Sequence, residues 1–117
     1  MGLFTKNTMS LDLMARMMGF IAMAEIEVYA KSRRTWPDGK FRTNMVDVWM
    51  QETGHTASTM KLTKLAIYAD NVAKTAIHYT PEVVDVFRGT DEEEKKEITE
   101  TLSHMSRDYL LTKGMTS

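Results

Sequence analysis

LDLMARMMGFIAMA, residues 11–24 of the 117-residue chain, decides the fold. At helical spacing it continues to about Arg34 and sets Leu11, Met14, Met18, Ile21, Ala22, Val28 and Tyr29 on one broad apolar face. The polar strip opposite is narrow, holding Asp12, Arg16, Glu27 and Lys31, and Leu13, Phe20 and Met23 intrude on it. A helix that is apolar on most of its sides must be covered on most of its sides. Those three intruders have no place in a single buried face. They are therefore expected to form an oligomer interface, with the protein a homodimer. The fold class expected is all-α: a small bundle of four to five helices with a short hairpin or loop after the first helix, in a single domain spanning residues 1–117.

The run is not a membrane anchor. A spanning helix needs about 20 apolar residues for about 30 Å of hydrocarbon, whereas Asp12 and Arg16 interrupt this stretch and Glu25, Glu27 and Lys31 follow it. No basic segment precedes a small-residue cleavage site, as a signal peptide requires. The opening Met1-Gly2-Leu3-Phe4-Thr5-Lys6 misses the myristoylation pattern, because Lys6 stands where Ser or Thr belongs. The chain has no cysteine, hence no disulfide and no thiolate metal site. A cytoplasmic location is expected.

Apolar residues make up 43% of the chain and charged residues 26%, the balance of a globular protein rather than a disordered one. The net charge of −1 gives no global attraction to nucleic acid or anionic membrane. Charge is uneven, however. Residues 31–42 carry Lys31, Arg33, Arg34, Lys40 and Arg42 against Asp38 alone, and residues 91–100 carry six acids against two lysines. Eight of the eleven methionines fall in the first 50 residues, where their flexible thioethers suit irregular core gaps.

Thr8 or Ser10 is placed to cap the first helix, which is expected to reach about Arg34. In the following RRTWPDGKFRT, Pro37 and Asp38 fit a type I turn and Gly39 its left-handed closing position. A second helix is expected from Thr43 or Asn44 until Gly54. A third, from about Thr56 to His78, has a stripe of Leu62, Leu65, Ala66, Ala69, Val72, Ala73 and Ala76, small enough for another helix to approach closely. Thr80-Pro81 reads as a capped start for a short helix ending at Gly89. Thr90 with Glu93 then forms a capping box for the last helix, whose inward stripe is Ile98, Leu102, Met105 and Tyr109.

No motif names an activity. The six glycines are scattered singly, so neither a dinucleotide fingerprint nor a phosphate loop can be assembled. There is no Gly-x-Ser-x-Gly elbow and no cysteine nucleophile. The expectation is a protein that is not an enzyme and needs no cofactor. Glu25, four residues after Ile21, puts a carboxylate in the apolar face of the first helix. It should find a basic partner or be partly neutralised.

The reading that follows is a non-enzymatic interaction or adaptor protein. Its partner is an acidic protein, bound through the first helix and the 31–42 loop, where Lys31, Arg33, Arg34, Lys40 and Arg42 rim an apolar centre of Trp36 and Phe41. A second reading is a small dimeric DNA-binding regulator. It uses a degenerate helix–turn–helix over residues 46–65, with Gly54 in the turn and Met60 buried, beside the same basic loop. A third is a metal–carboxylate bundle using Glu25 or the Glu52-x-x-His55 spacing.

Overall fold

Ser10 starts the first helix by accepting a hydrogen bond from the Leu13 amide at 3.1 Å. In the computed structural model, residues 9–115 are described, and they form α1 (Leu11–Lys31), α2 (Gly39–Thr53), α3 (Thr59–Tyr79), α4 (Val83–Arg88) and α5 (Glu92–Thr112), with no strand. Thr8 and the Met1–Lys6 motif lie outside the described residues. The all-α bundle expected from the sequence is what forms.

α1 is the axis of the bundle and touches each of the other four helices. That arrangement answers the covering problem within one chain. Met14, Met17, Met18, Ile21, Ala22 and Ile26 are all buried, and Met17 and Ile26 lie outside the face drawn from the sequence. Leu13, Phe20 and Met23 are partly buried against the chain's own core. The premise that they lack an intramolecular place is thereby corrected: four neighbours surround α1, not one. At Gly19, α1 lies close against Ser103 of α5. A Cβ there would stand 2.2 Å from Ser103 Oγ and 3.0 Å from the Ser103 amide nitrogen.

After Lys31 the chain leaves the helix through two consecutive left-handed residues, Arg33 (φ 55°) and Arg34 (φ 63°). The hydroxyl of Ser32 donates to Thr35 O across this corner at 3.0 Å. No hairpin forms. Asp38 caps α2, its carboxylate accepting from the Phe41 amide at 3.2 Å, and Gly39 is the first helical residue. The supposed turn is thus a helix start, since aspartate at an N-cap satisfies an amide that a turn leaves open. Lys40, Phe41 and Arg42 consequently belong to the first turn of α2 and not to a loop.

Gly54 ends α2 in the left-handed conformation (φ 74°), its amide returning to Met50 O at 2.9 Å. Ser58 caps α3, and all seven residues of the expected stripe are buried. Two further starts differ from expectation. Thr80 makes no side-chain cap; α4 instead opens through a turn in which the Val83 amide bonds Thr80 O and the Val84 amide bonds Pro81 O. Asp91 rather than Thr90 caps α5, accepting from the Glu94 amide at 3.1 Å. Carboxylates favour the positive end of a helix as well as its free amides, so the aspartate one residue later wins.

Candidate functional site

Glu25, 0% exposed, sits where α1 faces α3, and beside it is Asp70 of α3, also buried. Among the described residues no N–H or O–H donates to either Glu25 oxygen. Burial pushes the Glu25 carboxyl up to about 9, and the adjoining Asp70 charge adds to the shift; Arg42 and Lys74 oppose it. Glu25 is therefore neutral at pH 7, and neither of its oxygens has a hydrogen-bond partner among the described residues. For Asp70, burial acts upward too, but the neighbouring Glu25, the Trp36 N–H and the Lys74 ammonium outweigh it and hold the carboxyl below the usual range. Trp36 Nε1 donates to Asp70 Oδ1 at 2.7 Å, and Lys74 Nζ lies 2.9 Å from Oδ2. Arg42 stands 3.9 Å from Oδ1. The expected neutralisation of Glu25 thus comes mainly through burial, with the basic groups arranged around Asp70.

Sequence reasoning missed Asp70. The signal was present: Asp70 follows Ala66 by four and precedes Ala73 by three, on the same stripe as the core residues of α3. Two carboxylates in facing apolar stripes imply a shared proton or a buried cation.

The seven residues of the basic segment do not converge on one surface. Trp36 folds back onto Asp70, with Tyr29 5.3 Å away between ring centroids and Lys74 Nζ 5.6 Å from its ring. Phe41 is half-buried. Lys31 pairs with Glu27 at 3.4 Å and Arg42 with Asp70. Arg33, Arg34 and Lys40 remain exposed, the two arginines at the corner and the lysine on α2. The apolar centre expected among these charges is therefore absent, because Trp36 has a buried carboxylate to satisfy.

The helix–turn–helix register also needs correction. Met60, placed at a buried position of the recognition helix, is 79% exposed. The Glu52–His55 spacing is broken by the left-handed Gly54, and the His55 ring stacks on Trp49 at 5.9 Å. No three metal-ligating side chains converge among the described residues, and the cations facing Glu25 and Asp70 are Arg42 and Lys74.

A different surface draws attention. Between α2 and α3 runs a groove of about 580 Å³ whose floor includes Val46, Met50, Leu62 and Ala66 and whose rim includes Lys40 and Arg42. It meets a second hollow, lined by Met60, Lys64 and Tyr68, across a shared ridge of Thr63 and Ile67. Met60 and Ile67, the latter 44% exposed, are two of the four large apolar side chains standing in solvent among the described residues. α2 itself buries only Val46 and Trp49, which leaves its α3-facing edge shallow. No helix of the described residues is long and apolar enough to cross a membrane. Compared with protein-family models, curated proteins and solved structures, the chain matches none.

Proposed function

We propose that the protein is a non-enzymatic helical interaction module and that its contact face is the α2–α3 surface. The observation that carries this reading is the continuous apolar path formed by the groove, the Ile67 ridge and exposed Met60. Apolar side chains standing together in solvent cost the free protein water contacts that a partner would remove. The acids Glu25 and Asp70 are both buried, and Asp70 is engaged with Trp36, Arg42 and Lys74, so they serve the fold rather than an exposed substrate. Relative to the surface drawn from the sequence, Lys40 and Arg42 stay in the contact face while Lys31, Trp36 and the α1 trio do not.

A photo-crosslinking residue at Thr63, on the shared ridge, tests the reading against one at Glu97, exposed on α5. In cells producing the protein, a discrete adduct from position 63 and none from position 97 is expected. No adduct from 63, or the same pattern from both positions, overturns it.

A further inference from the structure

We propose that the occupant of the α2–α3 groove is an amphipathic helix of a partner protein carrying carboxylates along its rim. This rests on the interaction reading above and names its ligand. The groove edge from Lys40 to Met50 covers ten residue steps of α2, about 15 Å, which is about three turns of a partner helix. Its floor is apolar, as a groove for the apolar face of an amphipathic helix must be. Its rim is basic: Lys40, Arg42 and Lys64 stand against Asp47 alone. Among the described residues neither Lys40 nor Lys64 has a carboxylate within 4.0 Å, whereas Lys31, Lys74 and Lys95 are each paired. The two lysines beside the apolar groove are thus available to a partner's carboxylates.

Two alternatives fit less well. The acidic stretch of α5 cannot supply the ligand from a second copy, because its apolar side, Leu102 and Leu110, is buried in its own core. A nucleic-acid backbone would match the cations but not the floor of Val46, Met50 and Leu62.

The test uses two synthetic helical peptides of about three turns, both with leucine at i, i+3 and i+7, one flanked by glutamates and one by lysines. Binding is measured by fluorescence anisotropy, and the site is mapped by amide chemical shifts on isotope-labelled protein. The glutamate peptide should bind about tenfold more tightly than the lysine peptide, the effect of a pair of exposed ion pairs. Lys40→Glu with Lys64→Glu should erase or invert that preference while the circular dichroism spectrum stays unchanged. Shifts should centre on Val46, Met50 and Leu62. Equal affinity of the two peptides at this groove overturns the acidic ligand and leaves the interaction reading standing. Failure of both peptides to shift these residues, with no adduct from position 63, overturns both.

Discussion

Replacing Glu25 with glutamine isolates one proton of the folded state. The carboxyl lies at about 9 in the folded chain against an ordinary 4.5. Between those values the folded protein holds a proton that the unfolded chain has released. The unfolded state then binds fewer protons, so this group makes stability fall as pH rises, by about 1.4 kcal/mol per pH unit, and the loss levels off above the folded value. Below the ordinary carboxyl value both states are protonated and the group contributes no slope. Glutamine is close in shape and is neutral at every pH. From pH 6 to pH 8 the wild type should therefore lose about 3 kcal/mol more than Glu25→Gln. The assay is urea unfolding followed by circular dichroism at several pH values, with the difference between the two proteins taken at each. Parallel stability curves for the two proteins across that interval would refute the account of Glu25 as a carboxyl held neutral by burial.

Other outcomes follow from single contacts. Gly19→Ala gains about 1 kcal/mol of helix propensity but drives a methyl group into Ser103 Oγ and the adjoining backbone, an overpacking cost of about 1–3 kcal/mol that leaves a net loss of up to about 2 kcal/mol, visible as a lower thermal midpoint. Trp36→Phe removes the donor to Asp70 Oδ1 and should cost about 2 kcal/mol, the worth of a hydrogen bond to a charged group; equilibrium denaturation reads it. Asp91→Ala should cost about 1 kcal/mol, while Thr90→Ala stays within about 0.5 kcal/mol, because the aspartate is the residue that caps α5; the same denaturation series compares them.

Periodicity made the helices legible, most completely in α3, where seven stripe residues are buried as their spacing requires. Local capping was harder to read. Asp38 suits a turn and an N-cap equally, and only the packing of α2 on the bundle selects the cap. Thr90 and Asp91 compete for one role at adjacent positions, and spacing alone does not rank them. The face of α1 was drawn for one neighbour, whereas four neighbours cover it. Glu25 stood out because a carboxylate interrupts an apolar stripe. Asp70 did so equally, yet the small residues of α3 hid it, and no feature of the local sequence links it to Trp36, 34 positions earlier. The α2–α3 groove arises from how far apart two helices lie, a distance that neither helix encodes by itself.

The unequal setting of the methionines has a chemical consequence. Met9, Met14, Met17 and Met18 have their sulfurs sealed inside the bundle, while Met60 is open to solvent. Peroxide converts an accessible thioether to a polar sulfoxide, so Met60 should be modified at once and the inner four only when the bundle opens. Oxygen gained at those four residues, located by peptide mapping, would then report opening of the bundle, and the chain carries its own clock for unfolding under native conditions.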